Sequence, residues 1–192
     1  MLLSKRLNVT RDGIVSGATQ VISPNCDPRP ADAEITMLVV HNISLPPGQF
    51  GGPAIVEFFT NRLDPLADPF FATIADTRVS AHFLIGRDGA LTQFVACSRR
   101  AWHAGVSAWR GRERCNDFSI GVELEGTDQL AYAEDQYLTL ARLTRALMRR
   151  YALADIVGHA DIAPGRKTDP GPNFDWPRYR RLIAPKVLPT PD

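Results

Sequence analysis

Residues 35–41, ITMLVVH, join a short apolar run to a histidine. A run of this length, rich in β-branched residues, predicts a buried strand, because a buried helix needs a longer stretch. We expect the strand to end directly at His41. Since strand ends hold side chains rigidly at the edge of a cleft, His41 becomes a candidate functional residue.

Short elements of both kinds follow this strand. An Asp-Gly turn between SAHFLIG (80–86) and LTQFV (91–95) predicts a hairpin. Apolar residues three and four apart predict the clearest helix over 133–152. Further helices are predicted over 54–63, 68–75 and 176–183, and further strands over 118–125 and 155–158. This mixture predicts an α/β (α+β) fold, with a single mixed β-sheet flanked by helices. We divide the chain into an irregular lead-in, residues 1–34, and a single domain, residues 35–192.

Composition is that of an ordinary globular protein and excludes two classes of partner. The chain of 192 residues is 44% hydrophobic and 22% charged, with a formal net charge of +1. A nearly neutral chain has no broad attraction to a polyanion, so we expect no nucleic-acid partner. It contains no stretch near the ~18 apolar residues of a membrane span, so we expect no membrane partner either.

The cellular compartment is predicted from the N-terminus and the cysteines. MLLSKRLNVTRDGIVSG lacks the apolar region of a secretory signal, which favours a cytoplasmic protein. Cys26, Cys97 and Cys115 are odd in number and have no C-x-x-C spacing. We therefore expect free thiols in a reducing compartment, and neither a disulfide framework nor a structural zinc site.

A second histidine opens a charged segment, GHADIAPGRKTDPG (158–171). His159 follows a predicted strand, as His41 does. Two histidines and one carboxylate are the protein ligands of an open catalytic zinc site, which leaves a position for water. Asp169 and Asp161 are both candidates for the carboxylate, and Asp161 has the alternative of capping the following turn. The residues alone leave this choice open.

A zinc hydrolase also needs a proton acceptor and a group that stabilises the oxyanion. Glu123 and Glu125 point to the same side of one predicted strand, so either can be the base if that side faces the cleft; a solvent-facing pair is the alternative. Lys167, close to Asp169, places a cation near the metal. We expect His82 to be buried and bonded to a backbone carbonyl, and His103 to line a substrate groove.

Four segments carry a family resemblance: LVVHNISLPPGQFGG (38–52), RVSAHFLIGRDGALTQFV (78–95), RAWHAGVSAWRGRERCNDFSIGVELEGTD (100–128) and GHADIAPGRKTDPGPNFDW (158–176). They resemble the AmpD-type 1,6-anhydro-N-acetylmuramoyl-L-alanine amidases, part of the type-2 zinc amidase family that includes peptidoglycan-recognition proteins. The resemblance implies the fold of that family, which type-2 amidases share with peptidoglycan-recognition proteins. It also implies a cytoplasmic enzyme of cell-wall recycling that cuts the amide bond between anhydro-N-acetylmuramic acid and L-alanine.

Residue by residue, the resemblance implies one Zn²⁺ per chain, held by His41, His159 and Asp169, with Glu123 as the catalytic carboxylate and Lys167 beside the metal. The expected partner is an anhydro-muropeptide bound by a monomer. For substrate binding, guanidinium groups suit the carboxylates of a peptide stem, an amide beside His41 can bond the substrate amide, and an indole can stack on a sugar. The candidates are Arg78 and Arg114, whose matching positions line the family's peptide groove, Arg112, Asn42 and Trp102.

One departure and two alternatives accompany this interpretation. Asp68 stands where the family commonly has a histidine before Pro-Phe-Phe, which can alter the rim of the substrate site. The first alternative is an amidase that acts on intact peptidoglycan. The second is a muropeptide-binding module without metal, which the presence of all three expected ligands disfavours.

Overall fold

The strands and helices lie within residues 6–184, the part of the chain that the computed structural model describes. Residues 1–5 of the expected lead-in and 185–192 of the expected domain lie outside it. The strands are β1 (Thr19–Gln20), β2 (Cys26–Pro28), β3 (Met37–Ile43), β4 (Phe83–Ile85), β5 (Leu91–Gln93), β6 (Arg99–Ala101), β7 (Ala108–Trp109), β8 (Arg112–Glu113), β9 (Ser119–Glu125) and β10 (Asp155–Gly158). The helices are α1 (Ala54–Phe59), α2 (Pro69–Thr73), α3 (Glu134–Arg150), α4 (His159–Ile162) and α5 (Trp176–Ile183).

The main sheet has six strands in the order β1-β5-β4-β9-β3-β10. Strands β4 and β5 pair antiparallel and form the predicted hairpin, whereas the other neighbours are parallel. The predicted class, a single mixed sheet flanked by helices, is confirmed. Because β3, β9 and β10 run parallel, their carboxyl ends meet at one edge of the sheet.

Successive side chains of β3 point alternately to the two faces of the sheet, one of which packs against α3 and the other of which carries the site. Leu38 and Val40 of β3 share a buried cluster with Leu143 of α3, so this face packs against the long helix. Met37 and Val39 face the other way, into a separate cluster. Since successive side chains of a strand alternate between faces, residues 39 and 41 lie on the face opposite α3.

The sequence prediction for the first long strand was wrong at its end. We expected it to stop before His41, but β3 continues through Ile43 because its parallel partner β9 pairs with it as far as Glu125. His41 is therefore held within the strand by its pairing with β9. The helices α1 and α2 are shorter than predicted, and Asp68 caps α2 by accepting the N–H of Phe70 at 2.8 Å.

The segment before residue 35 is attached to the sheets by two short strands. β1 pairs in parallel with β5 at the edge of the main sheet, and β2 pairs antiparallel with β6. The division at residue 34 stays a prediction. Within the described chain, none of the helices has the length and apolar character needed to cross a membrane.

Candidate active site

Three neighbouring parallel strands bring the site together. In their register, His41 of β3 lies directly beside Glu123 of β9. On the other side of β3, Gly158 ends β10 beside Val40, so His159 emerges next to His41. Asp169 reaches the same point from the loop after α4, where its backbone carbonyl accepts the N–H of Ala160 at 2.9 Å.

The donor atoms of His41, His159 and Asp169 form a nearly equilateral triangle. The two Nδ1 atoms are 3.0 Å apart, and each lies 3.1 Å from Oδ2 of Asp169. Donors bound to one tetrahedral zinc ion at its usual bond lengths lie roughly 3.3 Å apart. Two imidazole nitrogens and a carboxylate oxygen at this spacing can hold a metal ion.

The carboxylate left undecided by the sequence has a different role. Asp161 accepts the backbone N–H of Gly158 at 2.7 Å, so it caps the turn that begins with His159. It is exposed, and Asp169 stands with the two histidines instead. This is the capping role that the sequence analysis weighed as an alternative.

The protonation states of the cluster suit a cation. Burial lowers the pKa of His41 to about 4, so the ring is neutral at pH 7, as a metal ligand must be. Burial alone raises the pKa of Asp169, but the contacts of its carboxylate with His159 and His41 outweigh it and hold that pKa well below its usual range. Asp169 is therefore ionised.

Glu123 is a buried carboxylate that lacks a partner on one oxygen. It is 9% exposed, and its Oε2 has no hydrogen-bond partner within residues 6–184. Burial raises its pKa well above the usual value, and the charge of Asp169 raises it further, while Lys167 opposes both. An unsatisfied acceptor facing a cavity is available to take a proton.

Glu125, the other carboxylate on this face of β9, is fully engaged. Its two oxygens accept the backbone N–H groups of Gly51 at 2.6 Å and Arg87 at 3.2 Å. It therefore ties the loop after β3 to the sheet. Of the pair that the sequence left open, only Glu123 lines the cavity beside the cluster.

A cavity of about 280 Å³ connects the cluster with other predicted residues. Its lining includes Asn42, Trp102, His103, Glu123 and Lys167, together with His159 and Asp169. Lys167 is exposed and also lines the two neighbouring cavities. The geometry thus places a carboxylate, a cation and an indole around the three donors.

The remaining substrate-binding candidates lie at different distances from this cavity. Arg78 lines a neighbouring cavity with Trp102 and Lys167, and its Nη1 donates to the carbonyl of Ala75 at 2.8 Å. Arg114 lines a further cavity and pairs with Asp117 at 3.2 Å. The guanidinium of Arg112 stacks over Phe118 at 3.8 Å.

Asn42 is near the cluster but its amide is already engaged. Its Nδ2 donates to Oδ1 of Asp128 at 2.8 Å. The residue lines two of the cavities on the site side of β3. A substrate amide that bonds to Asn42 can therefore use the side-chain oxygen or the second N–H of Nδ2, with Asp128 left in place.

Two histidines complete the surroundings. His82 is fully buried; its Nδ1 accepts the N–H of Gly121 at 3.0 Å, so Nε2 donates to the carbonyl of Arg99 at 3.1 Å, as expected. His103 lines the cavities as expected, but its Nδ1 also lies 2.9 Å from Nε2 of His41. The sequence analysis missed this contact. A glycine inside a strand, Gly121, was the available signal, because such a glycine often marks a close approach.

Comparison with known proteins assigns the family. A family model described as N-acetylmuramoyl-L-alanine amidase matches residues 31–172. The chain is 63% identical over 169 residues to the 1,6-anhydro-N-acetylmuramyl-L-alanine amidase AmpD of Salmonella typhimurium strain SL1344, covering 87% of this chain and 90% of that protein. It is 61% identical over 174 residues to AmpD of Escherichia coli K12, covering 90% and 95%.

Solved structures agree with these sequence matches. The crystal structure of a selenomethionine derivative of AmpD superposes with a TM-score of 0.89 at 58% identity, covering 92% of this chain and 99% of that one. AmiD from Escherichia coli, in complex with the substrate anhydro-N-acetylmuramic acid-L-Ala-D-γ-Glu-L-Lys, superposes with a TM-score of 0.58 at 29% identity, covering 92% and 65%.

Fold, site and relatives together define a hydrolase that acts on amide bonds. The chain belongs to the N-acetylmuramoyl-L-alanine amidase family. Within that family it is of the AmpD type, as the sequence motifs indicated.

Proposed function

We propose that this enzyme uses one zinc ion per chain to hydrolyse the amide bond between 1,6-anhydro-N-acetylmuramic acid and L-alanine in muropeptides. It does so as a monomer in the cytoplasm, during recycling of the cell wall. His41, His159 and Asp169 hold the metal, Glu123 and Lys167 act in catalysis, and four residues bind substrate: Asn42, Arg78, Trp102 and Arg114.

The triangle of three donors 3.0–3.1 Å apart carries this proposal. Without a ligand, this arrangement is unfavourable, because two buried imidazole nitrogens and a carboxylate then face one another with no cation between them. A bound cation compensates the desolvation of these polar groups. When bound, zinc supplies Lewis acidity and makes water a nucleophile at neutral pH.

Glu123 moves the proton. Its unpartnered oxygen takes a proton from the attacking water as the oxygen bonds to the amide carbon. The raised pKa favours the protonated form that follows, and Glu123 then gives the proton to the leaving nitrogen as the C–N bond breaks. The products are the lactyl carboxylate of the sugar and the free amine of L-alanine.

Lys167 stabilises charge that develops during the attack. The carbonyl oxygen becomes negative in the tetrahedral intermediate, and the ammonium group lines the same cavity as Asp169 and Glu123. This interaction strengthens toward the transition state, so it lowers the barrier more than it tightens binding. Lys167 thus serves the chemistry rather than the capture of substrate.

The cavities beside the cluster suit the two ends of a muropeptide. Arg78 and Arg114 present guanidinium groups to the carboxylates of the peptide stem. Trp102 offers an indole face to the sugar, and Asn42 a hydrogen bond to the amide. The solved complex of AmiD with an anhydromuramyl tripeptide supports this class of substrate.

A reducing compartment is consistent with the thiols. Cys26, Cys97 and Cys115 are free in the structure. Sedimentation of the purified protein measures the proposed monomer, and fractionation of cells that express the full chain measures its location. Dimers or an exported protein would contradict these two parts of the proposal.

The decisive experiment is an assay with two substrates. Purified protein is incubated with anhydro-muropeptides and with intact sacculi, with and without a chelator, and the products are identified by mass. We expect a free peptide and anhydro-N-acetylmuramic acid, loss of activity with the chelator and recovery with zinc. Preferential release from sacculi would favour the alternative substrate, intact peptidoglycan.

Two aspartates of the segment 158–171 provide a matched control. Asp169→Asn removes the negative ligand, so bound zinc and activity are expected to fall together. Asp161→Asn changes only the cap of α4, so zinc is expected to stay near one per chain. Zinc near zero in the unmodified protein would instead favour a muropeptide-binding module without metal.

A further inference from the structure

Both histidines of the candidate metal site are held from behind by consecutive residues of one loop. The Nε2 atom of His159 lies 3.2 Å from the carbonyl oxygen of Ala104, which can only accept a hydrogen bond. The Nε2 atom of His41 lies 2.9 Å from Nδ1 of His103. His159 therefore carries its proton on Nε2 and presents Nδ1 to the site, while the state of His41 depends on His103.

A series of hydrogen bonds determines which ring nitrogen of His103 carries the proton. The hydroxyl of Ser119 lies 2.6 Å from the carbonyl oxygen of Cys115 and 3.2 Å from Nε2 of His103. The shorter contact takes the hydroxyl proton, because a carbonyl has none to give. The oxygen of Ser119 then accepts the N–H at Nε2 of His103.

The consequence reaches the site. A neutral imidazole carries one N–H, so Nδ1 of His103 is an acceptor and Nε2 of His41 donates to it. The Nδ1 atom of His41 keeps its lone pair, which faces His159 and Asp169. If these hydrogen bonds ran in the opposite direction, Nδ1 of His41 would carry a proton and could not bind a metal.

We propose that His103, directed by Ser119, is a positioning residue that fixes His41 in its metal-binding tautomer. The proposal rests on the metal site described under the proposed function, and it assigns to His103 a role beyond lining the cavity.

The surrounding loop fixes the ring of His103 closely. The Oδ1 atom of Asn116 accepts the backbone N–H groups of His103 at 3.1 Å and Ala104 at 2.8 Å. A Cβ at Gly121 would lie 2.4 Å from Cγ of His103, so the ring rests directly on the backbone of β9. This close support leaves little freedom to rotate, which is what orienting a ligand requires.

Two variants and one control test the proposal. His103→Phe keeps a ring over Gly121 and removes the hydrogen bonds, and Ser119→Ala removes the hydroxyl alone. Thr144→Val is the control, since Thr144 is a fully buried residue of α3 whose hydroxyl is bonded to that of Tyr179 at 2.6 Å, on the opposite face of the sheet from the site. Zinc affinity is measured by competition with a chromogenic chelator, and the tautomers by long-range ¹H–¹⁵N NMR of the metal-free protein.

We expect His103→Phe to weaken zinc binding about 10- to 100-fold. Ser119→Ala should weaken it about three- to tenfold, the usual effect of one hydrogen bond, with rescue in Ser119→Thr. The spectra should show His41 protonated on Nε2 in the unmodified protein, and a mixture of tautomers in both variants. Thr144→Val should lower the melting temperature and leave zinc affinity unchanged.

The outcomes separate this proposal from the one on which it rests. If the unmodified protein binds no zinc, the metal site is wrong. If it binds zinc and Ser119→Ala binds equally well, or if His41 carries its proton on Nδ1 in the metal-free protein, the positioning role is wrong. The last two measurements decide the matter even where His103→Phe does not fold.

Discussion

Glu123 and Glu125 allow one conservative change to be compared at two matched carboxylates. Both face the same side of β9, and they are 9% and 8% exposed. Glu125 accepts two backbone N–H groups, whereas Oε2 of Glu123 has no partner in the described chain. Glutamine at either position removes the charge and keeps the shape. The two variants therefore compare the role of the negative charge at Glu123 with its role at Glu125.

The effects on stability should have opposite signs. Leaving a buried acceptor unpaired costs about 1–3 kcal/mol, and more if it is charged. Glutamine leaves this group unpaired but removes its charge, so Glu123→Gln is expected to raise the free energy of unfolding of the metal-free protein at neutral pH by about 1–3 kcal/mol, or roughly 2–4 °C in Tm for each kcal/mol. Glu125→Gln should lower it by a similar amount, because charge-assisted bonds to Gly51 and Arg87 are weakened.

The stability difference at Glu123 should depend on pH. Below the pKa of a free glutamate, about 4.3, the residue is protonated in both the native and the unfolded chain. Burial raises the native pKa, so above about 4.3 the unfolded chain loses its proton first and native stability falls until the native pKa is passed. The advantage of Glu123→Gln should thus be absent at low pH and grow as the pH rises. Urea unfolding of metal-free protein at several pH values measures it.

Activity should separate the same pair in the other direction. Loss of the proton carrier is expected to lower kcat about 10²- to 10⁴-fold in Glu123→Gln, whereas Glu125→Gln keeps the proton path and should lose less than about tenfold. Release of peptide from anhydro-muropeptide, followed by mass, gives both values. Equal losses of kcat, or a Glu123→Gln protein less stable at neutral pH, would refute the reasoning.

Three further variants test other parts of the structure. Lys167→Ala should lower kcat about 10²- to 10³-fold with little change in KM; an intact kcat with a raised KM in steady-state kinetics would remove its assignment. Gly158→Ala places a Cβ 2.7 Å from Cδ of Pro170, next to Asp169, so zinc affinity by chelator competition should fall about tenfold or more; unchanged affinity would contradict the close approach. Leu143→Ala, in the core under α3, should cost about 2–5 kcal/mol by urea unfolding at an unchanged m-value, and a smaller loss would mean that the core refills the space.

Local patterns predicted the elements of the fold well where they depend on near neighbours. The apolar face of α3 and the turn of the β4–β5 hairpin both follow from residues within a few positions. The end of β3 did not, since pairing with β9 some eighty residues later extends it past His41. An apolar run in the sequence gives no information on where its partner strand lies or how far the two strands pair.

The site residues also divide into those that local sequence predicts and those that depend on distant parts of the chain. Residue types and strand ends made His41 and His159 candidates, but spacing did not separate Asp169 from Asp161, because the loop must first bend back on β10. The family resemblance favoured Asp169, the residue that the structure brings to the histidines. His103 was placed in a groove, and its contact with His41 depends on β3, β9 and a distant loop meeting at one point.

The segment before residue 35 is linked to this site through one partly buried side chain, that of Arg29. Arg29 donates to the carbonyl oxygens of Asn116 at 3.0 Å, Asp117 at 2.9 Å and Ser119 at 2.8 Å. Burial lowers its pKa to about 10, so the guanidinium stays charged at neutral pH and its bonds are charge-assisted. Two of these carbonyls belong to Asn116 and Ser119, whose side chains hold His103. A chain that began at residue 35 would lack this guanidinium, and with it one support of the loop that holds His103 beside His41.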